Sequence, residues 1–221
     1  MNLIASRLPL LLGLLMGLTP HLVSGKDQPK PGVIEPDELK EFDALSERRQ
    51  QLIREALKIA KHYPALRYQY GGDDPESGGF DCSGSVYYLL RQVGLQPARS
   101  SAAQYAWVKK LGTLKTPKKR PRNLSATFFD DLTPGDLLFW KGTYQPKENR
   151  PNPITHVQIY LGTLQATGKP LMVGASNGRP FQGKACYGYG VFDFRLPQKR
   201  ARSEFAGYGS PWPPADTSKA L

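Results

Sequence analysis

Apolar residues open the chain in an unbroken run from Leu8 to Leu18, followed by smaller and more polar positions. That run is too short for the roughly 20 residues that cross a bilayer as a helix. Arg7 precedes it, and Val23 and Gly25 fit the small positions before a cut. Residues 1–25 therefore read as a secretory signal, with Lys26 as the first mature residue. An uncleaved anchor is the alternative. The proline-rich start of 26–44 reads as a linker or loosely ordered N-terminal arm.

From about Asp37 the spacing changes. Leu45, Leu52, Ile53, Ala56, Leu57 and Ala60 recur at threes and fours, which predicts an amphipathic helix that Pro64 ends. "LRYQYGGDDPESGGF" is too rich in glycine, aspartate and proline to be regular and predicts a shaped loop. A second helix is predicted from Cys82, with Val86, Leu89, Leu90 and Val93 as its buried stripe and Gly94 at its end. Residues 111–131 are basic and interrupted by proline, the composition of a surface insertion. Thr133-Pro134-Gly135-Asp136 has the proline and glycine of a type II turn and feeds the apolar "LLFW". "HVQIYLG" alternates as a half-buried strand does, and "PLMVGAS" and "GVFDFRL" read as further strands. Residues 198–221 show no period and read as a flexible tail. Helices followed by antiparallel strands indicate an α+β fold.

Composition adds charge and a small supply of reactive groups. The net charge is +11 at pH 7, and much of it lies in "KKLGTLKTPKKRPR" and "PQKRARSE". Such runs favour an anionic envelope polymer or lipid over nucleic acid in an exported chain; a solvated loop is the plainer reading. The 2 cysteines, Cys82 and Cys186, could form a disulfide outside the cytoplasm. No CxxC or HExxH spacing points to a metal, no GxSxG points to a serine hydrolase, and no cofactor is expected.

The surroundings of Cys82 favour a free, reactive thiol. It is the first residue of the predicted helix, with Asp81 at the N-cap, so its sulfur faces the positive end of the helix dipole. That position predicts a lowered thiol pKa. Of the 3 histidines, His21 lies in the signal and His62 ends the first helix, where a cationic ring is favourable for structural reasons. His156 opens the "HVQIYLG" strand and is the better base.

In order and spacing, "YQYGG", "FDCSG", "RSSAAQ", "PGDLLFW" and "HVQIYLG" resemble the NlpC-type family of papain-like cysteine peptidases over about residues 45–195. The resemblance implies a papain-like fold, with the cysteine helix packed on the antiparallel sheet and the peptidase domain at 45–197. It implies bacterial peptidoglycan stem peptides as substrates, cut between D-glutamate and a diamino acid, with Cys82 as nucleophile and His156 as base. It implies substrate contacts at Tyr68, Asp81, Ser83 and Ser101. Ser100 stands where relatives often carry an aspartate that receives the amine of L-alanine. Gly174 stands where relatives carry a polar residue that orients the base, and Asn177 is the substitute expected for that task. Localisation is expected in the periplasm or cell envelope, as a monomer. Two other readings stay open: a papain-like amidase or acyltransferase of another substrate class, and a domain that binds envelope polymer without cutting it.

Overall fold

The computed structural model describes residues 29–64 and 66–214; the expected signal at 1–25 lies outside the described residues. Helix α1 spans Glu47–His62 and buries Leu52, Ile53, Ala56, Leu57 and Ala60, the stripe that the spacing predicts. Each such leucine or isoleucine contributes about 2 kcal/mol through burial. The helix starts at Glu47 because the chain before it is taken up by two short 3-10 turns, Pro36–Glu38 and Phe42–Ala44. The preceding arm is also fixed: Ile34, Leu39 and Phe42 are buried, and Gly32 and Leu39 bridge to Val191 and Leu164. Apolar side chains spaced through a polar segment hold it down, which its proline content conceals.

The glycine-rich loop folds into three two-residue strands, β1 (Arg67–Tyr68), β2 (Asp73–Asp74) and β3 (Gly79–Phe80), with β3 in the centre. Helix α2, Cys82–Gln92, follows directly and buries Val86, Leu89 and Leu90. Helix α3, Ser101–Lys110, has no counterpart in the sequence pattern. Its inward residues include Ser101, Ala102, Gln104 and Val108, so no apolar stripe advertises it. Its N-cap is Ser100, whose Oγ accepts from the Ala103 N–H at 3.2 Å.

Five antiparallel strands form the main sheet: β4 (Leu137–Lys141), β5 (Ile154–Thr163), β6 (Pro170–Phe181), β7 (Lys184–Asp193) and β8 (Glu204–Gly209). Their order is β7-β6-β5-β4-β8. The type II turn ahead of β4 forms as predicted, with Gly135 at φ 94° and the Asp136 N–H donating to Thr133 O at 3.0 Å. Arg49 of α1 holds this turn by donating to Pro134 O at 2.6 Å and to Asp136 Oδ1 at 3.0 Å.

One sheet face carries Val157, Ile159, Val173 and Val191 against the helices. The other gathers Trp140, Tyr160, Met172, Phe192, Phe194, Phe205 and Tyr208 into an aromatic cluster. Two expectations change on that second face. The described part of the tail is not flexible, because Phe205 and Tyr208 of β8 are buried there. The basic insertion, in turn, reaches the same cluster through buried Phe129. Arg120 joins insertion and tail by donating to the carbonyls of Gln198 (2.7 Å) and Ser203 (3.0 Å). Among the described residues no helix is long and apolar enough to cross a membrane.

Candidate active site

The cysteine helix begins where it does because of Asp81. Asp81 Oδ1 accepts from the Gly84 N–H at 2.6 Å and from Ser83 Oγ at 3.1 Å, while Oδ2 accepts from the Gly71 N–H at 2.9 Å. One carboxylate therefore caps α2 and pins the glycine loop to it. Arg99 completes the arrangement, donating to Asp81 Oδ1 (3.1 Å), Asp73 Oδ2 (3.0 Å) and Gly72 O (3.1 Å). A Cβ on Gly84 would lie 2.0 Å from the Gly72 carbonyl oxygen, so only glycine allows the loop this close. Ser85 ties the same helix to the sheet: its Oγ donates to Cys82 O at 2.9 Å and accepts from the Ala175 N–H at 3.1 Å.

Cys82 is 5% exposed, and the two cysteines are free thiols. The thiol pKa is not lowered as its helical position predicts but pushed up to about 11. Burial is the main cause and the neighbouring Asp81 carboxylate the second; hydrogen bonds from the Val157 N–H, the Tyr68 hydroxyl and the Ser83 N–H offset part of it. Burial also raises the Tyr68 hydroxyl, with the Cys82 charge adding to it. His156 is 7% exposed. Burial, and then the positive charge of Arg179, hold its pKa well below the usual histidine range. Burial thus favours a neutral thiol beside a neutral imidazole.

The group that meets the imidazole is Arg179. Its Nε donates to His156 Nε2 at 3.2 Å, and its guanidinium lies over the Trp140 ring at 3.9 Å. Trp140 is also the cross-strand partner of His156. Arg179 arrives here through a bulge: Asn177 pairs with Tyr187 and Arg179 with Cys186, with Gly178 at φ 93° between them. The extra residue reverses the alternation of side chains, so Asn177 stays exposed while Arg179 turns in. The bond expected from Asn177 to the base is therefore made by Arg179. Over Gly174 lies the side chain of Gln158, fully buried, whose Oε1 has no hydrogen-bond partner among the described residues.

A cleft of about 840 Å³ opens over this group, lined by Tyr68, Tyr144, His156, Asn177, Arg179 and Arg195 among others. Asp81, Ser83 and Ser101 do not line it, and neither does the buried Cys82. The first two are occupied by the cap and by Arg99, and Ser101 is buried at the start of α3. His62 sits exposed, its Nδ1 bonded to Lys58 O at 2.9 Å within its own helix.

A family model described as the NlpC/P60 family matches residues 65–185. The chain belongs to the NlpC/P60 family. It is 34% identical over 111 residues to the Bifunctional muramidase/DL-endopeptidase CwlT of Bacillus subtilis (strain 168), covering 50% of this chain and 26% of that protein. It is 33% identical over 107 residues to the Gamma-DL-glutamyl hydrolase of the same organism, covering 48% and 20%. The chain thus spans about a quarter or less of the length of these relatives. A structure of an NLP/P60 family protein, similar to lipoprotein, from Staphylococcus aureus aligns with a TM-score of 0.46 at 23% identity, over 82% of this chain and 44% of that one.

The family stretch of this NlpC/P60 chain includes Tyr68, Cys82, His156, Asn177 and Arg179 but ends before most of β7. Sequence reasoning had no access to Arg179 as a neighbour of the base. The signal that could have revealed it is Gly178, a glycine interrupting a strand pattern, which marks a bulge and a change of face.

Proposed function

We propose that this chain is an exported cysteine peptidase that hydrolyses amide bonds in peptidoglycan stem peptides, at the linkage between D-glutamate and a diamino acid. The observation that carries this reading is the position of the Cys82 sulfur. It lies in the first turn of α2, buried beside Tyr68, and Tyr68 and His156 both line a cleft large enough for a short peptide. The names of the two Bacillus relatives, a DL-endopeptidase and a gamma-DL-glutamyl hydrolase, support the choice of bond.

In this mechanism Cys82 passes its proton to His156 as substrate enters, and the sulfur attacks the scissile carbonyl carbon. A tetrahedral oxyanion forms, then collapses to a thioester as the amine leaves with the proton from His156. Water, activated by the same imidazole, releases the acid. Tyr68, partly buried beside the sulfur, orients the thiol through its hydroxyl. Asn177, exposed on the cleft wall, meets the substrate. Asp81, Ser83 and Ser101 act indirectly, by setting the start of α2 and the loop against it.

The test is digestion of defined muropeptides with the products weighed by mass spectrometry. Native protein should cut at the D-glutamyl amide, and Cys82→Ser and His156→Ala should each abolish the products. Cleavage that survives Cys82→Ser removes the proposal.

A second reading concerns docking. Arg120 draws the insertion against the 198–203 segment, which brings Lys118, Lys119 and Arg122 near Lys199 and Arg200. This basic surface fits an anionic envelope polymer. Retention on purified cell wall should then weaken steeply with salt, and retention indifferent to salt rules the polymer out.

A further inference from the structure

Arg179 is a cation without an acid. Among the described residues no carboxylate lies within ion-pair distance of it, and its Nε–H donates to the His156 ring. Asp193, the acid on the same cleft wall, is taken by Arg195 at 2.7 Å and by the Gln182 and Gly183 amides at 3.0 and 3.2 Å. Burial lowers Arg179 to about 10, and the group that opposes this shift is Cys82. A partly buried cation without an acidic partner is costly, and a positioned anion recovers part of that cost. Arg179 lines the cleft and is only partly buried, so an anion entering with the substrate can reach it.

The bond to His156 has a second consequence. A guanidinium can only donate, so His156 Nε2 must accept, and the proton of the neutral ring sits on Nδ1. The remaining nitrogen, Nδ1, then has no lone pair with which to receive a proton from a thiol. As it stands, the ring is oriented but held in the wrong tautomer. An orienting carboxylate or carboxamide oxygen would impose the opposite form. An acceptor of that kind exists. Gln158 lies two residues along β5 on the face that carries His156, fully buried, with an Oε1 that no group among the described residues satisfies.

Building on the peptidase reading, we propose that Arg179 is the receptor for a free carboxylate of the substrate, and that capture of this carboxylate releases His156 Nε2 and switches the ring to its base form. The carboxylate takes the guanidinium in a paired, fork-like contact. The ring loses its Nδ1 proton to water in the cleft and gains one on Nε2, which then donates to Gln158 Oε1. Nδ1 is now free to accept the proton of Cys82. Charge and proton number on the ring are unchanged by the switch. The substrate class follows: peptides with an ionised carboxylate beside the scissile amide are preferred over their amidated forms.

The test uses the full chain with Cys82→Ala and the peptide L-alanyl-γ-D-glutamyl-diaminopimelate. It compares the free acid with versions amidated at the D-glutamate α-carboxyl, at the diamino acid, or at both. Calorimetry should show binding at least tenfold tighter for the free acid than for the doubly amidated peptide. That preference should vanish in Arg179→Gln and persist in part in Arg179→Lys, with both checked for folding by thermal melts. Nitrogen NMR of His156 should show the proton moving from Nδ1 to Nε2 with the free acid alone. Equal affinity for free and amidated peptides overturns the proposal, as does no measurable binding of the free acid, and this holds even where Arg179→Gln does not fold. A preference that survives Arg179→Gln, or a tautomer that never changes, does the same. Because Cys82→Ala cannot turn over, the two readings fail separately. Carboxylate-dependent binding without cleavage by native protein removes the peptidase assignment, whereas cleavage without the preference removes only the role of Arg179.

Discussion

Raising the pH should expose the cost of burying Cys82. Its folded pKa is about 11, against about 8.5 for an unfolded cysteine. The folded state holds the neutral thiol more strongly than the unfolded chain does, so this contribution is fully present below pH 8.5. It is lost as pH climbs toward 11, because deprotonation then favours the unfolded chain. At about 1.4 kcal/mol per pH unit, the loss between pH 8 and pH 11 is about 3 kcal/mol. Tyrosines titrate in the same range, so the measurement is a difference between native protein and Cys82→Ala, in which most other groups cancel. Urea melts of the two proteins at intervals from pH 8 to pH 11 give it directly. Native protein should lose about 3 kcal/mol relative to the variant, part of it through the coupling of Cys82 to Tyr68. A gap between the two that stays constant with pH would mean that the thiol is not raised, and the neutral resting site described above would be wrong.

Further outcomes follow from the packing. Gly84→Ala places a methyl group against the Gly72 carbonyl, so the loop must move off α2; a loss of about 1 to 3 kcal/mol in a denaturant melt is expected, together with loss of activity. Asp81→Ala removes the α2 cap and the main partner of Arg99, which should cost about 2 to 4 kcal/mol, while wild-type stability would mean that the cap is dispensable. Ending the chain before Glu204 strips Phe205 and Tyr208 from the aromatic cluster, and the truncated protein should bind a hydrophobic dye and lose its cooperative melt.

What the sequence discloses depends on whether a signal is local. Helix α2 was legible because Asp81 supplies the cap, Val86, Leu89 and Leu90 the stripe, and Gly94 the stop, all within a few turns. Strand β5 was legible from its alternation. Helix α3 was not, since its inward face carries Ser101 and Gln104 and its burial depends on the rest of the fold. Strand β8 looked structureless because its aromatics gain their partners from β4, from Phe194 and from the insertion. In the site, Cys82 and His156 were chosen from their own neighbourhoods, and both lie at the meeting of α2 and β5. The direction of the thiol pKa was misjudged because a dipole argument counts the helix end and leaves out desolvation. Arg179 was hidden by the bulge, and the importance of Gln158 depends on Gly174 facing it from the next strand.

Two isolated backbone bridges, Gly32 to Val191 and Lys115 to Tyr208, lie at the rims of the sheet. Gly32 exchanges both of its backbone bonds with Val191 at 2.9 Å, along the outer side of β7. Lys115 does the same with Tyr208 at 2.8 and 3.0 Å, along the outer side of β8. Each outermost strand is therefore met by a stretch with proline beside the bridging residue or close to it, Pro31 and Pro117. Proline offers no N–H there for a further strand to pair with. At these points the described chain covers part of each outer border, which shortens the template on which strand-by-strand aggregation grows.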